Sequence, residues 1–97
     1  MGIKIRLYIG ADNKTKVIDD EYKQKIVDVL KKYWKGFTLS KKTGYYEGQV
    51  EESIEAVIMV LNLVFKDLFD CMDELKIKLV QKEILYEVEY DVDFKMR

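Results

Sequence analysis

From Ile84 to Phe94 the chain alternates without a break, with Ile84, Tyr86, Val88, Tyr90, Val92 and Phe94 on one side and Leu85, Glu87, Glu89, Asp91 and Asp93 on the other. A period of two sends successive side chains to opposite faces, so this segment reads as a strand with one apolar and one largely acidic face. Such a strand must find partners, and the first residues offer one. Ile3, Ile5, Leu7 and Ile9 alternate with Lys4, Arg6 and Tyr8. Paired side by side, the two strands would set Lys4 and Arg6 across from Glu87, Glu89 or Asp91.

Between them the period changes. Gly10-Ala11-Asp12-Asn13-Lys14 supplies turn chemistry, and Asp19 or Asp20 can cap a helix in which Tyr22, Ile26, Val29, Leu30 and Tyr33 form one apolar stripe ending near Trp34. Phe37 to Tyr46 reads as a second strand whose glycines suggest a bend, a bulge or a close approach by another group. From Glu52 alternation resumes, and the segment becomes apolar on both sides, as a central strand does. Asn62 is the expected cap of a second helix with Phe65, Leu68, Met72, Leu75 and Leu79 inward and Asp70, Asp73, Glu74 and Lys78 wet.

The order β-α-β-β-α-β predicts an α+β, ferredoxin-like split βαβ fold, with an antiparallel sheet in spatial order 4-1-3-2 and two helices on one face. The competing reading is one long helix from about residue 51 to residue 79, because short apolar runs fit either period. With 97 residues, 48% hydrophobic and no proline, the expectation is a single domain over residues 1–97.

Composition narrows the function classes. The formal charge of -1 offers no broad positive field for duplex nucleic acid, and the acidic side of the last strand would repel RNA phosphates, so nucleic-acid binding is not expected. There is no histidine, which removes histidine-dependent hydrolysis, and no assembled catalytic motif replaces it, so no enzyme is expected. The single cysteine, Cys71, sits in a helical pattern without an obvious cation to activate it. The alternating acids of the last strand lie too far apart along an extended backbone to share an ion readily, and neither they nor any other feature points to a metal or cofactor. No apolar run reaches the length of a membrane span, and the first residues lack a secretory signal's apolar stretch, which sets the expectation of a cytoplasmic protein.

The candidate working segment is Thr43-Gly44-Tyr45-Tyr46, Gly48, Glu51 and Ser53, joined by the distant Gln81. Glu51 and Ser53 share a side of a strand, and glycine lets a backbone approach a ligand, so these groups could make a polar pocket. The same residues also fit a bulged hairpin in which Ser53 satisfies a local amide and Gln81 closes a helix end. A second candidate is the open sheet face, where Val57, Met59 and Leu61 would leave apolar area for self-association as a homo-oligomer.

The phrase Gly36-Phe37-Thr38, then Thr43-Gly44-Tyr45-Tyr46-x-Gly48-x-x-Glu51-x-Ser53, and later Leu79-Val80-Gln81-Lys82-Glu83-Ile84, resembles small uncharacterised proteins of phages and mobile elements. It is similar, more distantly, to the DUF3574 family, over roughly residues 3–88. Tyr46 stands where the similar proteins often carry tryptophan, and Lys82 follows Gln81 where they carry an acid. The resemblance implies the split βαβ fold and a phage setting. Function is accordingly expected to be that of a noncatalytic, oligomeric binding or inhibitory protein directed at a host defence protein. The alternative is a small-ligand binder that sequesters a nucleotide signal through residues 43–53.

Overall fold

The computed structural model describes residues 2–93 and Lys95; the Tyr46 side chain and Phe94, both named above, lie outside the described residues. Its elements run β1 (Gly2–Gly10), α1 (Asp20–Tyr33), β2 (Thr38–Tyr46), β3 (Gln49–Val60), α2 (Phe65–Leu79) and β4 (Leu85–Val92). The strands form one antiparallel sheet in the order β2-β3-β1-β4, the expected arrangement, and α1 packs against α2 over one face. The single long helix is therefore excluded.

The apolar side chains of the alternating segments build the core. Ile5, Leu7 and Ile9 of β1 and Ala56 and Ile58 of β3 are fully buried, against Ile26, Val29 and Leu30 of α1 and Leu68, Cys71 and Leu75 of α2. Each fully buried aliphatic of this size contributes about 1.5–3 kcal/mol. The α1 terminus forms as read: the Asp19 carboxylate accepts the Tyr22 amide at 2.8 Å. Lys4 faces Glu89 and Arg6 faces Glu87, with Arg6 Nη1 3.3 Å from Glu89 Oε2. Both partners are partly solvated, so this pairing sets register more than it adds stability.

Four expectations need correction. No bulge interrupts the β2–β3 hairpin: the register runs continuously from Thr38 opposite Val57 to Tyr46 opposite Gln49. The whole connection is a two-residue turn in which Glu47 and Gly48 have φ of 48° and 77°, the positive pair a type I′ turn requires. Asn62 does not cap α2; Val64 occupies that position and provides no side-chain bond. Phe65 does not join the inward stripe, which begins at Leu68; it is 41% exposed and lies instead against the ring of Phe69. Finally, β4 does not keep its alternation to the end. Lys4 pairs with Glu89 but Gly2 pairs with Val92, so β4 carries an extra residue there, and Asp91 takes φ 57°.

Candidate functional site

The C-terminal end of β1 opens into a cleft of about 300 Å³ lined by Gly10, Ala11, Asn13, Lys16, Gln49, Val50, Glu51, Glu52 and Gln81. Three pieces of chain meet there: the β1–α1 loop, the start of β3, and the residues that follow α2.

The loop is shaped by Asp12, whose Oδ1 accepts the amides of Lys14 at 2.8 Å and Thr15 at 2.9 Å. Those amides, Thr15 first, hold the Asp12 carboxyl below its ordinary range. The Asp12 carbonyl also accepts the Lys16 amide at 2.8 Å, and Lys16 adopts φ 60°. The β3 side is tied to the loop by backbone and side chain together. Ala11 N donates to Glu52 O at 3.2 Å, and Glu52 Oε2 accepts the Ile18 amide at 3.1 Å and lies 3.8 Å from Lys41 Nζ.

Gln81 closes the third side, and α2 is ended in a way that delivers it. Val80 takes the left-handed conformation, φ 54° and ψ 47°, and the Gln81 amide returns to Lys76 O at 2.9 Å. Asn13 Nδ2 clamps the reversal by donating to Val80 O at 2.6 Å. The Gln81 side chain then crosses to the loop, where Nε2 donates to Ala11 O at 2.8 Å and to the Tyr22 hydroxyl at 3.1 Å. Tyr22 in turn donates to Gly10 O at 2.6 Å, and burial raises its phenol pKa. A Cβ on Gly10 would meet Gln81 Oε1 at 3.6 Å, so the amide lies directly over that glycine.

Of the residues singled out from sequence, Glu51 and Gln81 come together in the cleft. Thr43, Gly44, Tyr45 and Gly48 run out along the exposed hairpin arm instead; Tyr45 is 79% exposed opposite Val50. Ser53 pairs with Gly10 and Lys42, on the same side of β3 as Glu51, without lining the cleft. The loop residues Gly10, Ala11 and Asn13 were legible only as turn chemistry, Tyr22 only as part of a helix stripe, and Lys16 carried no signal.

The open sheet face keeps Val57 partly covered and Met59 half exposed, while Leu61 falls past the end of β3. Cross-strand register surrounds Val57 and Met59 with Thr38, Arg6 and Lys4, so the apolar area is narrower than the alternation implied. Tyr8, on that face, donates to Glu87 Oε1 at 2.6 Å, which raises its phenol pKa. Cys71 is fully buried, and burial pushes its thiol up to about 11, where a nucleophilic thiolate is scarce at neutral pH. Among the described residues no group of three or more His, Cys, Asp or Glu could hold a metal ion, and no helix is long and apolar enough to cross a membrane.

No family model matches the chain, so the resemblance to DUF3574 drawn from the motif has no family match behind it, and no curated protein matches either. Solved structures do. A DUF3240 family protein from Shewanella baltica OS155 superposes with a TM-score of 0.65 at 15% identity, covering 98% of this chain and 97% of that one. A phage SAM lyase in complex with S-methyl-5'-thioadenosine gives 0.60 at 23% identity, covering 91% of this chain and 80% of that one. The de novo designed protein Foldit4 gives 0.62 at 13%, covering 95% and 100%. The likeness is one of fold. That a designed sequence shares the fold underlines that function must be argued from the site.

Proposed function

We propose that this protein binds a small nucleoside-type ligand in the cleft between Gly10, Glu51 and Gln81 and releases it chemically unchanged. The observation that carries the reading is the Gln81–Tyr22–Gly10 network, which holds the Gln81 amide over Gly10 and fixes one polar wall of the cleft. The ionisable residues of the lining are two acids, Glu51 and Glu52, and one lysine, Lys16, with the Glu52 carboxylate engaged by the Ile18 amide and Lys41. That balance suits hydroxyl donors or a positive centre and disfavours a phosphate chain, so a nucleoside fits better than a nucleotide.

The fold shared with a phage SAM lyase that holds S-methyl-5'-thioadenosine supports the same ligand class. Of the two functional expectations drawn from the sequence, ligand binding is thus better supported than inhibition through an apolar sheet face. The segment involved is 49–52 rather than the whole of 43–53.

Isothermal titration with S-methyl-5'-thioadenosine and adenosine tests the proposal. Glu51→Gln and Gln81→Ala are expected to weaken binding about tenfold each, the loss of one hydrogen bond that is charge-assisted or geometrically fixed. Chromatography of the recovered ligand should return it intact. Binding that both substitutions leave untouched would refute the site, and conversion of the ligand would refute the noncatalytic reading.

A further inference from the structure

A second groove, sharing no lining residue with the cleft, runs between α2 and β4. It measures about 350 Å³ and includes Met72, Lys76, Ile84 and Tyr86. At its margin three aromatic rings stack in sequence: Phe65 and Phe69 lie 5.7 Å apart between centroids, and Phe69 and Tyr86 lie 5.8 Å apart in an edge-to-face arrangement. The three are 41%, 43% and 38% exposed. Aromatic area left open in this way, beside a groove, marks an interaction surface.

The strand that borders the groove is also free. β4 ends the sheet, and among the described residues it pairs with β1 alone, so its other side presents unpaired backbone groups. An added strand would send alternate side chains to the two faces. Tyr86 and Val88 face Leu7 and Ile5 on the helix side, where the aromatic groove lies, while Glu87 and Glu89 lie opposite Arg6 and Lys4 on the open side. The existing partner already displays the complementary pattern: β1 reads Ile-Lys-Ile-Arg-Leu, apolar toward the helices and basic toward the acids of β4.

We propose that the free edge of β4 captures an extended peptide of a protein partner, in which apolar or aromatic residues alternate with lysine or arginine. The apolar set lies over Phe69, Met72 and Tyr86, the basic set beside Glu87 and Glu89, and main-chain hydrogen bonds to β4 hold the peptide in register. A second copy of β4 is a poor occupant, because antiparallel self-pairing brings two acidic rows together. The extra residue near Asp91 ends regular pairing, so the docked stretch covers Leu85 to Tyr90.

The probe is a labelled peptide of about six residues, a usual strand length, alternating Phe or Val with Lys or Arg. It is measured by fluorescence anisotropy and by hydrogen exchange on the full chain. Saturable binding should weaken about tenfold in Glu87→Lys through like-charge repulsion and about tenfold in Phe69→Ala, with circular dichroism confirming that both variants fold. A peptide N-methylated at alternate residues should not bind, and the β4 amides should gain protection only with the unmethylated probe. Absence of binding, binding that survives N-methylation, or a concentration-dependent rise in the protein's own mass with β4 protected would each overturn the proposal.

Discussion

Replacing Val80 by glycine removes a side chain, yet it is expected not to weaken the protein. Val80 is β-branched and sits at φ 54°, ψ 47°, a left-handed conformation that costs a residue with a Cβ about 1–2 kcal/mol. Glycine adopts it freely but loses about 0.5–1 kcal/mol more backbone entropy on folding. The valine side chain offers little in return, since the residue is 75% exposed and its burial is a minor share of the ~2 kcal/mol a fully covered valine contributes. The balance leaves Val80→Gly equal to the parent or up to ~1 kcal/mol more stable. It should also exceed Val80→Ala by about 1 kcal/mol, because alanine keeps the strain. In a domain of this size 1 kcal/mol moves the melting temperature by about 4–8 °C, so calorimetry with urea titration resolves the difference. A loss of about 1 kcal/mol in Val80→Gly, the ordinary penalty for glycine inside a helix, would mean that Val80 is helical in solution. The turn that carries Gln81 to Ala11 would then be wrong, and the cleft with it.

Other outcomes follow from particular groups. Cys71 keeps its proton in the fold up to about 11, above its ordinary value of 9.0, so its contribution is fully present below pH 9.0 and falls as pH rises toward about 11. The loss is on the order of 2 kcal/mol, and Cys71→Ala should flatten the decline seen in urea titrations across that window. Glu47→Asn should stabilise the hairpin by about 0.5–1 kcal/mol, because asparagine accepts the φ of 48° more readily than glutamate, whereas Gly48→Ala should cost about 1 kcal/mol; thermal melts distinguish the two. Leu68→Ala, at a fully buried position between α2 and the sheet, should cost about 2–5 kcal/mol in the same assay.

The fold was legible because two long alternations, Ile3–Ile9 and Ile84 onward, flank segments whose period is helical, and because Lys4 and Arg6 answer the acids of β4. What the sequence hid was conformational. Glu47 and Val80 adopt positive φ without being glycine, so neither the two-residue hairpin turn nor the reversal after α2 carries its usual residue signature. The site was half legible for the same reason. Gln81 and Glu51 stood out as polar groups near element ends, but what fixes Gln81 at the cleft is the Tyr22 hydroxyl, which accepts from Gln81 and donates to Gly10 O, a contact between a helix stripe and a strand end that no local pattern encodes. Thr43 to Gly48 drew attention through glycine and aromatic content, which here serves an exposed arm rather than the cleft.

The most direct measurement is a titration of the isotopically labelled protein with S-methyl-5'-thioadenosine, followed by amide chemical shifts. Saturable shifts are expected, centred on Gly10, Ala11, Asn13, Gln49 to Glu52 and Gln81, with β4 beyond Leu85 unmoved. Shifts confined to another surface, or none at ligand concentrations in the millimolar range, would contradict ligand binding in the cleft.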